Sequence, residues 1–372
     1  MPSTSPGPVT RTPRARKAVV DPSQQLSLGF ADDVFAAPAL PTEKPAPVRA
    51  APVPKPAAVQ PEAAAVQPST EQSLEAVAAQ LERHPDYRVL RRLVPQLEFA
   101  SLPASGVLRL LVLDTETTGL EHSRDKIIEL ALLRVDLDTA TGLPCGTVQV
   151  YDGLEDPGMP IPEIARKVTG IEDSMVQGQQ LDEARVAELL DGVDLVVAHN
   201  AAFDRPFVEA RLPAFAAKAW ACSFADIDWK AEGRESAKLS ALALELGWFY
   251  DAHRAEMDCH ALLAVLQATL PTSGGSGLAR LVQASQATRY RLQATGAPFD
   301  AKDALKERGY RWDATQKVWH TRLADEASLQ AEGEWLAAEV YRGRPARVQV
   351  EALDALVRYA SRPGVIGWKQ LE

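Results

Sequence analysis

Hydrophobic and polar positions divide the chain into stretches of different period. Residues 1–70 have no apolar period: Ala, Pro and Val with scattered charges fill 36–68, and fourteen of the 27 prolines fall in the first 68 residues. No apolar face can form from such text, so a disordered arm is expected. In 71–104, Leu74, Val77 and Leu81, then Tyr87, Leu90 and Leu93, recur at helical spacing with Pro85 between them, which predicts a helical extension of two short helices. Residues 108–113, apolar except for Arg109, predict a buried strand, and 125–135 and 146–151 predict two more, joined as a meander. The proline-rich 157–162 predicts a rigid loop entering a helix. Helical stretches at 181–190, 207–212, 238–246 and 259–270 then alternate with short strands at 193–198 and 220–223. Strands first, then mixed helices and strands, predict an α/β layer with a mixed sheet over 105–270. Gly and Ser at 272–277 predict a flexible linker within 271–284. A small α+β module follows at 285–345, with a helix at 301–308 and a hairpin of 310–312 with 318–320. The stretch 346–372 predicts a C-terminal helix at 350–358 and a tail.

Candidate chemistry sits where these elements end. The strand at 108–113 runs into Asp114 and Glu116, whose i, i+2 spacing puts both carboxylates on one face of an extended chain. Side by side at the end of a core strand they repel one another and are costly to bury unpaired, a conflict that a divalent cation such as Mg²⁺ or Mn²⁺ removes. Gly119 permits a sharp turn just beyond. Two further acidic stations sit where an element starts or ends: Asp204, after His199 and Asn200, and Asp258, five residues after His253. On one helix that offset would put His253 and Asp258 on different faces, about 140° apart, so His253 is expected in the preceding loop, leaning over the same site.

Net charge is −10, so contact with nucleic acid must use a local patch or bridging metal ions. Cys145, Cys222 and Cys259 have neither CxxC nor paired spacing, which argues against disulfides and a zinc cage and fits a reducing compartment. There is no apolar signal core and no run near the roughly 18 residues of a membrane span.

One island interrupts the arm. Gln25, Leu26, Leu28 and Phe30 have the form of a short linear motif in an extended peptide. It resembles the six-residue motif by which bacterial replication and repair proteins bind the sliding clamp. About 42 residues separate it from the next ordered segment, a tether of about 36 Å root-mean-square if flexible.

The set Asp114-x-Glu116-Thr117-Thr118-Gly119, His199-Asn200-x-x-Phe203-Asp204 and His253-x4-Asp258 resembles the three motifs of the DEDDh (DnaQ-like) 3′→5′ exonucleases. The likeness covers about 108–270 and takes in 125–130 and Pro162 with 169–171. It implies an RNase H-like mixed sheet flanked by helices. It implies two Mg²⁺ or Mn²⁺ ions held by Asp114, Glu116, Asp204 and Asp258, with His253 as general base. By the same resemblance, Thr117, Thr118, Gly119 and Leu120 hold the terminal nucleotide, and Asn200 and Phe203 shape the site; Phe203 serves equally well as core. His199 reads as structural. The implied function is removal of nucleoside 5′-monophosphates from single-stranded or frayed 3′ ends, DNA in preference, in a bacterial cytoplasm if the clamp motif is real. RNA trimming by the same fold, or a silent scaffold bound to the clamp, are the alternatives. Tyr310, Trp312 and Trp319 beside Arg311 and Lys317 serve either as the core of the C-terminal module or as a surface that stacks on bases.

Overall fold

A computed structural model describes residues 73–104 and 106–371. Gln25, Leu26, Leu28 and Phe30, and the arm that carries them, lie outside the described residues. The first described element is α1 (Leu74–Glu82), capped by the Ser73 hydroxyl, which accepts the Ala76 N–H. The second predicted helix is absent: a turn at 83–86 leads into irregular chain up to 104, in which β1 (Arg91–Arg92) pairs in parallel with β7 (Trp248–Phe249). Leu90 and Leu93 match helical spacing, yet the backbone here bonds to Gly247 and Phe249 instead.

The larger domain is built on a five-stranded sheet of order β4-β3-β2-β5-β6. Its strands are β2 (Val107–Thr117), β3 (Ile127–Asp138), β4 (Leu143–Leu154), β5 (Leu195–Ala198) and β6 (Trp220–Cys222). β2, β3 and β4 form the expected antiparallel meander, while β5 runs parallel to β2 and β6 to β5. Alternation on β2 distributes the core. Leu110 and Val112 pack on one side with Leu239, Leu242, Cys259, Leu262, Leu278 and Leu281. Leu111 and Leu113 pack on the other with Leu189, Phe207, Val208 and Trp220. The first side is covered by α7 (Leu239–Glu245), α8 (Ala255–Gln267) and α9 (Gly277–Gln286). α4 (Glu183–Leu190) and α5 (Ala201–Arg211) cover the second. Short helices α2 (Glu163–Thr169), α3 (Asp173–Val176) and α6 (Ser223–Asp226) fill the connections.

The expected linker is part of this core. Ser276 caps α9 by accepting the Ala279 N–H, and a Cβ on Gly277 would lie 2.7 Å from Leu266 Cδ2. Gly277 is there for close packing against α8, and Leu278 and Leu281 are fully buried.

The C-terminal part corrects the sequence reading as well. Residues 350–358 are not helical: β11 (Ala346–Leu353) pairs with β12 (Val365–Leu371) and β8 (Arg289–Ala294). With β9 (Arg311–Asp313) and β10 (Val318–Leu323), the hairpin that was expected, they make a second sheet of order β12-β11-β8-β10-β9. α10 (Lys302–Glu307) follows β8 and α11 (Glu326–Trp335) follows β10, α11 continuing into a π-helical turn at Leu336–Val340. The chain order β-α-β-β-α-β with that strand order is a split βαβ arrangement plus one edge strand. Its core is Leu292, Leu305, Tyr310, Leu329, Leu336, Val340, Val348 and Leu371. Of the three aromatics named above, Tyr310 is buried, Trp319 packs at the core's margin and Trp312 is half exposed.

Residues 354–362 carry the C-terminal module back onto the larger domain. Trp220 on edge strand β6 donates its N–H to the Ala355 carbonyl at 2.9 Å. Fully buried Arg205 of α5 pairs with Glu209 at 2.6 Å and donates to the carbonyls of Ala355, Leu356 and Arg358. Asp226 gathers Arg358, Arg289 and the Tyr359 hydroxyl at 2.7–3.2 Å, and Arg362 pairs with Glu209 at 2.6 Å.

Candidate active site

Alternation on β2 also builds the site. Asp114 and Glu116 continue the face of Leu110 and Val112, the side that α8 covers, and α8 brings Asp258 in its first turn. Oxygens of Asp114, Glu116 and Asp258 lie within 4.8 Å of one another. Thr115 continues the opposite face, toward α5, and its hydroxyl donates to Asp204 Oδ1 at 2.8 Å. One strand thus addresses acids on both covering layers, and four carboxylates meet at its end.

The loop before α8 is tied to the cluster. The N–H groups of His253 and Arg254 donate to Asp258 Oδ2 at 2.7 and 3.2 Å, and the Tyr250 hydroxyl donates to Asp258 Oδ1 at 2.9 Å. His253 lies in the loop, as expected, with φ +66°. A non-glycine residue there is strained and is held by its surroundings. Asn200, at φ +68°, turns the chain from β5 into α5.

Burial and mutual repulsion dominate the electrostatics. Desolvation raises Asp114 well above the usual carboxylate range, with Asp204, Asp258, Glu116 and Glu129 adding to it. Glu116 is pushed up to about 9 by burial, then by Asp258, Glu129 and Asp204, and eased by Arg254. Asp204 rises to about 7 through burial, partly offset by its hydrogen bonds with Thr115. Burial also raises Asp258, while Tyr250 and His253 pull it down. An all-carboxylate donor set that the protein leaves short of positive charge fits hard divalent cations such as Mg²⁺ or Mn²⁺.

Native-state protonation of raised carboxylates is favourable, so their stability contribution is full at low pH. It is lost as pH rises through their folded values, about 7 for Asp204 and about 9 for Glu116. Carboxylates lowered by hydrogen bonds, such as Asp156, Asp313 and Asp325, titrate below this window. Histidines lowered by burial, such as His199, act in the opposite sense below about pH 6.5, so in EDTA the melting temperature is expected to fall between pH 7 and pH 9, and millimolar Mg²⁺ to remove most of that fall. Differential scanning fluorimetry showing a flat or rising curve over this range in EDTA would contradict this charge balance.

Comparison with known proteins follows the same boundaries. Residues 111–266 match the sequence profile of the exonuclease (RNase T) family. Residues 111–266 are an exonuclease domain. The chain is 32% identical over 103 residues to the PolC-type DNA polymerase III of Caldanaerobacter subterraneus, 27% of this chain and 7% of that protein. It is 33% identical over 159 residues to the 3′-5′ exonuclease DinG of Bacillus subtilis, 40% of this chain and 16% of that protein. To the DNA polymerase III epsilon subunit of Treponema pallidum it is 29% identical over 163 residues, 40% of this chain and 71% of that protein.

Within the exonuclease domain, the other residues singled out from sequence take varied positions. The Thr117 hydroxyl donates to the Gly119 carbonyl at 2.6 Å, and the Thr118 hydroxyl accepts the Lys126 N–H at 3.0 Å, so both brace the turn after β2. Gly119 has no positive φ. It is small because a Cβ there would lie 2.5 Å from Asp125 Oδ2, whose carboxylate accepts the Glu121 N–H at 2.9 Å. Leu120 is 43% exposed beside this turn. Phe203 is part of the packing under the site, 5.1 Å from the Phe207 ring. His199 is bonded to the Ser223 hydroxyl at 2.7 Å and lowered to about 4 by burial, consistent with a structural role.

Sequence reasoning assigned no role to Glu129, Arg254 or Tyr250. Glu129, fully buried opposite Glu116 on β3, pairs with Arg254 at 2.7 Å and accepts the Ala255 N–H at 2.9 Å, fixing the start of α8. An acid inside the apolar run 127–133 was the signal. Arg254 and Tyr250 carried none, because their loop has no period.

Proposed function

We propose that the chain is a divalent-metal-dependent 3′→5′ exonuclease that releases nucleoside 5′-monophosphates from single-stranded or frayed DNA 3′ ends in replication or repair. The observation that carries this reading is the meeting of Asp114, Glu116 and Asp258 within 4.8 Å, with Asp204 joined through Thr115, inside an exonuclease domain. Asp114, Glu116 and Asp258 would hold one ion, and Asp114 with Asp204 a second. Bound there, Mg²⁺ or Mn²⁺ would stabilise the entering and leaving oxygens of an in-line displacement at phosphorus.

The chain's own residues do the rest. His253 takes the proton of the attacking water; positioned general bases are worth about 10²–10⁴-fold. Its strained backbone and the bond from its N–H to Asp258 fix where the imidazole sits. Thr117, Thr118, Gly119 and Leu120 receive the terminal nucleotide on a turn already braced by Asp125 and Lys126. Asn200 and Phe203 shape the wall opposite. The test is a 5′-labelled single-stranded oligodeoxynucleotide with Mg²⁺ or Mn²⁺. A ladder shortening one nucleotide at a time from the 3′ end supports the reading; intact DNA beside degraded RNA of the same sequence would reassign the substrate.

Gln25, Leu26, Leu28 and Phe30 would dock the enzyme on a bacterial sliding clamp in the cytoplasm, a reading supported by their match to the clamp-binding motif. Changing Gln25 and Leu28 together to Ala is expected to abolish clamp binding in surface plasmon resonance and to leave hydrolysis of free oligonucleotides unchanged. Unaltered clamp binding would remove the motif from the account.

A further inference from the structure

The second sheet has one face covered by α10 and α11 and an opposite face that α6 meets at one end, where Arg289 is held by Ala225 and Asp226. Strand register identifies the open face. Leu292, Val348 and Leu371 point to the helices, so their strand neighbours point away. Pairing then aligns Trp368, Gln349, Gln293, His320 and Arg311 in a single row across all five strands. At about 4.8 Å per strand spacing the row spans about 19 Å. A second row holds Ile366, Glu351, Arg291 and Arg322, and Arg347 lies beside Trp368 on the same face.

The charge on this face has one sign where it is open. Asp313 is occupied by Arg291 at 3.2 Å, Glu351 accepts the Gly364 N–H at 2.8 Å, and Arg289 is turned onto Asp226 at 2.7 Å. Arg311, Arg322 and Arg347 are exposed, and none has an acidic partner among the described residues. His320 reports their convergence: after burial, Arg291, Arg322 and Arg311 all lower its pKa, against Asp313 alone. Trp368 is 53% exposed with the Arg347 guanidinium 5.1 Å from its ring centroid, and Ile366 beside it is 51% exposed. Between the cationic edge and the aromatic edge, Gln349 is partly exposed, while Gln293 is buried and its amide donates to Gln316 Oε1 at 2.8 Å.

We propose that this open sheet face binds single-stranded nucleic acid, the three arginines on phosphates and Trp368 stacked on a base. Exposed cations across a sheet face together with an exposed aromatic are the two elements of sequence-tolerant single-strand binding. A folded acidic protein would match the charge but leave Trp368 without use. The substrate class follows the exonuclease reading above, but the test is independent of catalysis. Trp312, on the helix-covered side of the edge strand, is not part of this face.

The experiment measures fluorescence anisotropy of 5′-labelled oligothymidylate, and in a parallel arm oligouridylate, with the full chain in EDTA so that nothing is cut. Arg311→Glu with Arg322→Glu is expected to weaken binding at least about tenfold and to flatten the salt slope by about 1.4, near 0.7 per phosphate contact. Trp368→Ala is expected to weaken it about 5- to 100-fold. Both variants should hydrolyse p-nitrophenyl thymidine 5′-phosphate with Mn²⁺ like the unmodified chain, because the face lies outside the carboxylate site. Wild-type affinity in both variants would overturn the proposal, as would displacement of the oligonucleotide by polyglutamate at equal charge. Binding that depends on these residues in a chain that hydrolyses nothing would overturn the exonuclease reading and leave this one standing. The DNA and RNA arms decide which strand the face prefers.

Discussion

Asp114→Asn is expected to lower hydrolysis of single-stranded DNA by about 10³–10⁴-fold and, in EDTA at pH 8, to raise the melting temperature. The activity loss follows from removing the carboxylate proposed to serve both ions. Electrostatic stabilisation by metal is worth several kcal/mol, and about 5 kcal/mol corresponds to about 10³–10⁴ in rate. The stability gain follows from the repulsion around Asp114. Its ionised form is opposed by burial and by Asp204, Asp258, Glu116 and Glu129, and the isosteric amide keeps the shape while removing the charge. Opposite signs for activity and stability are what a site assembled for catalysis predicts. A structural carboxylate would lose stability on the same change. Activity within tenfold of the unmodified chain, or a lowered melting temperature in EDTA, would contradict this account. The comparison is made by oligonucleotide gel assay and by fluorimetry on the same preparations.

Arg205→Ala is expected to be the most destabilising single change outside the apolar core, by about 3–5 kcal/mol, the range for breaking a buried ion pair on one side. Arg205 is fully buried, pairs with Glu209, donates to three carbonyls of 354–362 and lies with its guanidinium 5.3 Å from the Trp220 ring centroid. Its removal takes the donor from the Arg358 carbonyl and one of two donors from the Ala355 and Leu356 carbonyls, and leaves Glu209 with Arg362 alone. Arg205→Lys should recover little, because one ammonium cannot reproduce the guanidinium fork. Chemical denaturation gives the number; a loss below about 1 kcal/mol would show that the segment is held by other contacts. Asp204 is the neighbouring residue on α5, so partial loosening of this helix should raise the metal concentration needed for activity as well.

The elements that sequence showed best are those whose period has only one explanation. The apolar strand at 108–113 and its i, i+2 acids led directly to β2 and the carboxylate cluster, because side-chain alternation is fixed by the extended backbone. The C-terminal strand β11 was misread as a helix because Val350, Leu353 and Val357 fall at helical intervals. Its actual core positions, Ala346, Val348 and Val350, alternate. Gly277 looked like part of a linker because a glycine needed for close packing reads the same as one needed for freedom. The links that organise the site most tightly, Thr115 to Asp204 and Glu129 to Arg254, join residues 89 and 125 positions apart. No local pattern encodes such pairs.

The docking of 354–362 on β6 and α5 also bears on how the protein comes into being. The helix bearing Asp204 lies in the middle of the chain, yet Arg205 receives its carbonyl partners from residues translated some 150 positions later. A ribosome that has delivered the whole exonuclease domain has still not delivered what fastens this helix. Nuclease competence should therefore arrive late in synthesis, and a product truncated before residue 354 should carry every side chain of the proposed site and still present α5 loosely held.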